Sequence, residues 1–186
     1  PHPWLEEGQP PVFIHVSNLM PFKRVDLLID AFAQVRRHHE SRLLVLGDGP
    51  ARPAAEARIR ALGLQDSAQL LGWVDDPLPY AGHSRALVHP SDEDGFAQVL
   101  TEAMSVGCPV VTADSQGGGP RFVTDDGRYG LLVPRGDRDE LAAAMVSMLH
   151  DEVRERYARL GLRRVEDMSP LASATALLDF VETLAA

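Results

Sequence analysis

The stretch ALVHPSDEDGFAQVLTEAMSVGCPVVT, residues 86–112, decides the fold of this chain. It begins with a short apolar run at 86–89 and ends with another at 109–112, and each run is typical of a buried strand. Between them, residues 96–106 carry apolar side chains at helical spacing. Two strands joined through a helix by short connections predict parallel pairing, with the helix crossing one face of the sheet.

The same alternation extends along most of the chain. Further apolar runs predict four more strands, at residues 12–16, 42–46, 68–71 and 129–133. Helical spacing predicts further helices at residues 25–35, 51–62, 137–149 and 151–164. We therefore predict an α/β, Rossmann-like, doubly wound parallel sheet of about six strands with helices on both faces. Ligands of such sheets bind at the carboxyl ends of the strands, so the loops that leave the strands are the first place to look for a site.

Composition restricts the classes of partner. The chain has 18 Lys and Arg residues against 27 Asp and Glu residues, a formal net charge of −9, which argues against nucleic acid and against an anionic membrane surface. Any anionic ligand must therefore meet a local basic pocket. The single Cys108 excludes an internal disulfide and any multi-cysteine metal site, and it fits a reducing compartment. The sequence shows no metal-ligand spacing, no signal peptide and no apolar run of the roughly 20 residues that span a bilayer, so we expect no metal and a cytoplasmic location.

Three segments are distinguished along the chain. Residues 1–11 are polar and rich in proline, which is typical of a linker or domain boundary. We assign residues 12–168 to the Rossmann-like domain and residues 169–186 to a C-terminal helix with a broad apolar stripe. The chain starts at Pro1 rather than Met, and we expect a segment of a longer protein.

The loop after the fourth predicted strand contains the strongest candidate site. Backbone amides from Gly95 to Val99 would be the unpaired donors of a helix N-terminus, which favours a phosphate-bearing anion. Asp94 and Glu102 lie about two helical turns apart on nearly the same face, so both could accept hydrogen bonds from one polyhydroxylated ligand. The alternatives are an ordinary N-cap for Asp94 and a solvated side chain for Glu102. We interpret His15 and His89, in or beside predicted strands, as buried core groups rather than ligands.

The segment 94–111 resembles the Glu-Gly-Phe, Glu-Ala-Met and Gly-x-Pro-Val-Val signature of family 4 glycosyltransferases. Four further segments, 16–32, 47–50, 72–74 and 130–137, resemble the same family in the same order. The resemblance implies the C-terminal, nucleotide-sugar-binding half of a two-domain enzyme of the GT-B type. It also implies that the half that binds the acceptor precedes Pro1. Because the apolar stripe of the C-terminal helix is broader than one sheet face would cover, we expect this helix to pack partly on that missing half.

The resemblance implies a role for each matching residue. Glu102 would accept the ribose hydroxyls of the donor, Asp94 would stand where a Glu contacts the transferred sugar, and Lys23 would neutralise the diphosphate. Further donor-binding positions are Ser17, Asn18, Gly72, Val74, Gly95, Phe96, Ala97, Gln98 and Val99. The donor would be a UDP-, GDP- or similar nucleotide sugar, the acceptor a sugar, lipid or other glycan, and no metal or other cofactor is implied.

Three positions depart from the family pattern. Asn18 stands where the family usually has Arg, and an amide cannot supply charge to a phosphate. Asp94 replaces the usual Glu and is one methylene shorter, about 1.5 Å less in reach. Phe122 stands where many relatives have Glu.

The sequence favours one function among several. The favoured hypothesis is the donor-binding domain of a retaining glycosyltransferase of the hexosyltransferase class, inactive as an isolated half. A nucleotide-binding or regulatory module without catalysis and a sugar-nucleotide epimerase of the same architecture are alternatives. A nicotinamide-dependent oxidoreductase is disfavoured because the loop at residues 17–22 has no Gly-x-Gly-x-x-Gly.

Overall fold

Six parallel strands form one sheet in the computed structural model, which describes residues 2–169. The strands are β1 Val12–Val16, β2 Arg42–Leu46, β3 Ala68–Gly72, β4 Ala86–His89, β5 Val110–Ala113 and β6 Leu131–Val133. Their order across the sheet is β3-β2-β1-β4-β5-β6. The predicted doubly wound sheet is confirmed, with strand ends that differ from the prediction by one or two residues.

Seven α-helices accompany the strands in the described part of the chain. They are α1 Val25–Arg36, α2 Arg52–Ala61, α3 Leu78–Gly82, α4 Gln98–Ser105, α5 Gly119–Thr124, α6 Arg138–Met148 and α7 Asp151–Asp167. Apart from Ser169, the predicted C-terminal helix at 169–186 lies outside the described residues. Within the described residues, the length and apolarity of every helix fall short of what a membrane span requires.

The four inner strands, β2, β1, β4 and β5, are buried on both faces because successive side chains enter different apolar layers. Phe13 of β1 packs in the layer that contains α1 and α6, whereas its neighbour Ile14 packs in the layer that contains α4. Both side chains are fully buried. Near-continuous apolar runs such as 42–46 follow from this arrangement, since no strand face is left for water.

The strand order reverses between β1 and β4. Phe13 of β1 pairs with Leu43 of β2 on one side and with Ala86 of β4 on the other. Loops from these neighbouring strands therefore separate at their carboxyl ends and leave a crevice, which is where open α/β sheets bind ligands. The fold thus places the loop at 17–24 opposite the loop at 90–97.

A close backbone approach fixes the first of these loops. The Ser17 amide donates to the Leu46 carbonyl at 3.1 Å, and the Leu19 amide donates to the Asp48 carbonyl at 2.9 Å. A Cβ atom at Gly47 would lie 1.8 Å from the Ser17 carbonyl oxygen, and Gly47 has a φ of +117°. Only glycine meets both conditions here.

Replacing Gly47 separates steric clash from backbone strain. Gly47→Ala is expected to lower the free energy of unfolding by about 3 kcal/mol or more, since the new Cβ meets Ser17 backbone as well as a positive φ. The matched control is Gly63→Ala, with a φ of +68° and no atom near the new Cβ, which should cost about 1 kcal/mol. Urea denaturation measures both, and equal losses would contradict the close approach.

Candidate functional site

The loops after β1 and β4 are joined across the crevice. The Asp92 amide donates to the Phe22 carbonyl at 2.8 Å, and the Ser91 hydroxyl donates to the same carbonyl at 3.2 Å. Arg24 adds an ion pair to Asp92, with Nη1 at 3.1 Å from Oδ2. These contacts hold the short turn Pro21–Lys23 in front of β4, so Lys23 faces the loop that begins α4.

The loop after β5 packs against the same place. Asp94 donates its amide to the Gln116 carbonyl at 3.0 Å, and Gln116 donates its own to the Asp92 carbonyl at 2.8 Å. A Cβ at Gly117 would lie 2.8 Å from the Asp94 carbonyl oxygen, and one at Gly119 would lie 2.6 Å from the Phe96 nitrogen. Both glycines are needed because any larger residue would push the loop that contains Asp94 outwards.

The Asp94 carboxylate accepts three hydrogen bonds from three parts of the chain. Its Oδ2 accepts from Lys23 Nζ at 2.7 Å and from His89 Nε2 at 3.0 Å, and its Oδ1 accepts from the Ala97 amide at 2.7 Å. The hydrogen bond from His89, followed by that from Lys23, holds the pKa of Asp94 well below its usual range, against the opposing effect of partial burial. Asp94 is therefore ionised at neutral pH and oriented from three sides.

Lys23 is the only lysine of the chain, so every other basic side chain of fixed charge is an arginine. Its side chain is 15% exposed and its ammonium lies 5.4 Å from the centre of the Phe22 ring. An ammonium has three donors, and the contact with Asp94 uses one of them. The ammonium thus retains donors for an anion while its charge is partly compensated by Asp94.

Two buried histidines lie beneath the site. His15 Nδ1 is 2.8 Å from the Val88 carbonyl, so it must donate, and Nε2 therefore accepts from the Ser17 hydroxyl at 2.8 Å. Burial, with the nearby His89, lowers the pKa of His15 to about 3. The His15 and His89 rings stack with centroids 6.1 Å apart. Both histidines are buried as the sequence suggested, but each is hydrogen-bonded to a candidate site residue, which sequence reasoning missed.

The turn before α4 departs from the sequence prediction. We predicted the helix from residue 96, but α4 begins at Gln98 because Ala97 adopts a left-handed conformation with φ of +56°. The Ala97 amide is used inside the protein, by Asp94. Four neighbouring amides donate no hydrogen bond to any of the described residues: those of Gly95, Phe96, Gln98 and Val99.

Two cavities adjoin this turn. The inner cavity has a volume of about 560 Å³ and is lined by Phe22, Lys23, Glu93, Asp94, Gly95, Gln116 and Gly117. The outer groove has a volume of about 350 Å³ and is lined by Phe96, Gln98, Thr101, Glu102, Ser105, Val165, Met168 and Ser169. From the sequence we expected Asp94 and Glu102 to face one ligand. In the structure Asp94 lines the inner cavity and Glu102 lines the outer groove. A ligand that contacts both carboxylates must therefore cross the turn at 95–97.

Glu102 is held less firmly than Asp94. Its Oε1 accepts from Gln98 Nε2 at 2.9 Å, one helical turn earlier. This contact is exposed to solvent, in contrast with the partly buried cluster around Asp94. A ligand hydroxyl can therefore replace the side-chain amide of Gln98 as the donor to Glu102 at a small cost in free energy.

The remaining predicted positions surround the crevice. Asn18 is exposed, and Gly72 has a φ of +81° with its carbonyl accepting from the Gly47 amide at 2.7 Å. Val74 is half-buried near the start of the loop after β3. Phe96 is 48% exposed, with its ring 6.3 Å from that of Phe122. No cluster of three or more His, Cys, Asp or Glu side chains suited to a metal ion occurs among residues 2–169.

A doubly wound parallel sheet with a crevice at its switch point defines a Rossmann-like domain, and among the described residues this crevice holds a lysine and four amides without a hydrogen-bond partner. The family described as Glycosyl transferases group 1 matches residues 10–151. The chain belongs to this family, and its fold is that of the GT-B glycosyltransferases.

Individual relatives agree with this assignment. An exopolysaccharide phosphotransferase of Streptomyces coelicolor is 38% identical over 137 residues, 73% of this chain and 14% of that protein. A phosphatidyl-myo-inositol mannosyltransferase of Mycobacterium leprae is 35% identical over 170 residues, 89% of this chain and 44% of that protein. The crystal structure of Anabaena HepE in complex with UDP has a TM-score of 0.79 and 26% identity, covering 95% of this chain and 49% of that one. The chain spans less than half the length of each of these proteins.

The pKa of Asp94 predicts how stability depends on pH. Because folding lowers this pKa, the unfolded chain binds the proton first, so the stabilisation is present above about pH 4 and is lost as the pH falls below that. In Asp94→Asn this contribution is absent. We expect the variant to be less stable than the wild type at pH 5 and the difference to shrink by pH 3, measured by urea denaturation. A difference that stays constant between these pH values would contradict the ionised, hydrogen-bonded Asp94.

Proposed function

We propose that this chain is the donor-binding domain, the C-terminal half, of a retaining family 4 glycosyltransferase. The enzyme transfers a hexosyl group from a nucleoside-diphosphate sugar to an acceptor, which the N-terminal half of the complete enzyme binds. The observation that carries this proposal is the position of Lys23, beside a turn whose amides at Gln98 and Val99 have no partner among the described residues. HepE, a related protein of the same fold, has been crystallised with UDP.

The diphosphate binds at the turn between the two cavities in this proposal. The amides of Gln98 and Val99 begin α4, where the helix dipole also favours negative charge. Lys23 approaches from the inner cavity and donates the N–H groups that Asp94 leaves free. The ribose lies in the outer groove, where its hydroxyls replace Gln98 as partners of Glu102.

The sugar occupies the inner cavity. Asp94 Oδ1 and Oδ2 together receive three donors, so the carboxylate has capacity for about one further hydrogen bond from a sugar hydroxyl. An ionised carboxylate only accepts hydrogen bonds, which suits sugar hydroxyls and not phosphate oxygens.

The same groups assist the departure of the nucleoside diphosphate. Negative charge grows on the leaving oxygen as the glycosidic bond breaks, and one fixed donor aimed at that oxygen contributes roughly 3–4 kcal/mol. A lysine ammonium at 4 Å from the leaving oxygen adds about 4 kcal/mol at an effective dielectric constant of 20, before the cost of desolvation is subtracted. Asp94 offsets part of this attraction, so the amides matter as much as the ammonium. Charge is thereby neutralised without a metal ion.

The rest of the proposal concerns the complete enzyme. Retention of anomeric configuration follows from the family resemblance, and the acceptor is a sugar, lipid or other glycan. We infer a cytoplasmic location, with contact to the inner membrane surface made through the N-terminal half. The isolated chain offers one wall of the cleft and is therefore expected to bind nucleotide weakly and to transfer nothing.

Two ligands separate the proposed roles of Lys23 and Glu102. Lys23→Met should weaken UDP binding at least about tenfold and leave uridine binding unchanged, because uridine has no phosphate. Glu102→Ala should weaken both ligands to a similar extent, because both carry the ribose. Binding is measured by NMR titration up to millimolar ligand.

Two control variants change the net charge by the same amount as Lys23→Met and Glu102→Ala, at positions away from the site. Arg60→Met removes one positive charge on the exposed side of α2, and Glu152→Ala removes one negative charge at the start of α7. Neither should change UDP binding by more than about twofold, since exposed distant charges are largely screened. Absence of both UDP and GDP binding by the wild-type chain at millimolar concentration would overturn the proposed function. A Lys23→Met variant that loses uridine and UDP equally would refute the assigned role of Lys23.

A further inference from the structure

His89 is the last residue of β4, and its side chain is 1% exposed. Of its two ring nitrogens, Nε2 lies 3.0 Å from Asp94 Oδ2, and Nδ1 is buried without a hydrogen-bond partner among the described residues. An apolar side chain would fill the same space without the free-energy cost of burying Nδ1. Packing alone therefore does not explain a histidine at this position.

The direction of the hydrogen bond follows from the partners. Asp94 is ionised and can only accept, so His89 Nε2 carries the hydrogen and donates it. Burial, and to a smaller extent the charge of Lys23, lowers the pKa of His89 against the opposing effect of Asp94. A second proton on Nδ1 would have no acceptor among the described residues. His89 is therefore a neutral imidazole in the Nε2–H form.

One carboxylate connects His89 to both halves of the anion site. On the side of β1, Asp94 holds the ammonium of Lys23 at 2.7 Å. On the side of α4, Asp94 holds the Ala97 amide, and with it the left-handed residue that directs the Gln98 and Val99 amides. Such a backbone conformation costs an alanine about 1–2 kcal/mol, so it needs a fixed partner.

The short side chain of Asp94 determines which groups its carboxylate can reach. The aspartate has a single methylene between its backbone and its carboxylate, so the carboxylate stays near the end of β4, with Oδ2 at 3.0 Å from His89 Nε2. Rotation about its χ1 bond would break the contacts to Lys23 and Ala97 together. His89 donates to Oδ2, the oxygen that also accepts from Lys23, and so holds the carboxylate in the orientation in which Oδ1 accepts from Ala97.

We propose that His89 is a positioning residue of the donor site, which sets the orientation of Asp94 and through it the positions of Lys23 and the turn at Ala97. It affects diphosphate affinity without touching the ligand. This inference rests on the proposed function for its consequence in binding, although the contacts that define it are present in the protein without ligand.

Two substitutions of His89 separate positioning from packing. Gln places an amide N–H close to where Nε2–H donates, whereas Leu fills the same space with no donor. We expect His89→Leu to weaken UDP binding at least about tenfold and His89→Gln to recover the affinity to within about threefold of the wild type. His38→Leu, at an exposed histidine after α1, is the matched control and should bind UDP like the wild type.

A second measurement needs no bound nucleotide. Lys23 gives a single set of side-chain signals in protein labelled with ¹³C and ¹⁵N lysine, because the chain has no other lysine. His89→Leu should shift these signals and the Ala97 amide signal, and His89→Gln should leave both close to the wild type. Imidazole ¹⁵N spectra of the wild type at pH 7 should show His89 protonated at Nε2 and not at Nδ1.

The outcomes distinguish this inference from the proposed function. If the wild type binds neither UDP nor GDP, the donor-site function fails, and the Lys23 and Ala97 signals decide the positioning role alone. If the wild type binds UDP but folded His89→Leu binds it equally well, or His89→Gln is as weak as His89→Leu, the positioning role is wrong. If His89→Leu does not fold, the wild-type spectra decide: an imidazolium or an Nδ1–H form of His89 would overturn the inference.

Discussion

The Asp94 carboxylate is the junction on which the arrangement of the crevice depends. Its hydrogen bonds reach the loop after β1 through Lys23, the end of β4 through His89 and the start of α4 through Ala97. Lys23 lies in the short turn after β1, and Asp94 and Ala97 lie in the loop between β4 and α4, so strand pairing does not fix their positions. His89 is the last residue of β4 and pairs with Thr112 of β5, so it links this junction to the sheet. The ionised carboxylate joins segments that the hydrogen bonds between strands do not reach.

The backbone around this junction is built for close approach. Gly47 lets the loop after β1 touch the end of β2, and Gly117 and Gly119 let the loop after β5 touch the backbone of Asp94 and Phe96. The positive φ of Ala97 is tolerated because its amide donates to the Asp94 carboxylate at 2.7 Å. The loops after β1, β4 and β5 are thus joined to one another around the inner cavity.

Much of the fold could be predicted because it depends on patterns visible in short windows. The apolar runs at 12–16 and 42–46 and the helical stripe at 25–35 gave the strands and α1 to within about two residues. The start of α4 could not be predicted, since alanine is the best helix former and nothing local shows that Ala97 adopts a positive φ. The Ala97 amide is held by the Asp94 carboxylate three residues earlier, and the orientation of that carboxylate depends on Lys23, 71 residues away in the sequence.

The site was predicted as a set of positions rather than as a set of contacts. Lys23, Asp94 and Gly95 are brought together, but spacing along a helix could not show that Glu102 faces a different cavity. His89 was missed because a buried histidine in a strand resembles core packing. Its position at the carboxyl end of β4, five residues before Asp94, is the signal that could have found it.

The lysine signals provide the most direct measurement of the central claim, that a diphosphate binds beside the Asp94–Lys23 pair. In lysine-labelled protein, the ε-methylene signal of Lys23 is followed during addition of UDP, with uridine as the comparison. The account predicts a saturable shift with UDP and none with uridine. UDP that binds, as judged by backbone amide signals elsewhere, while the Lys23 signal stays unmoved would contradict it.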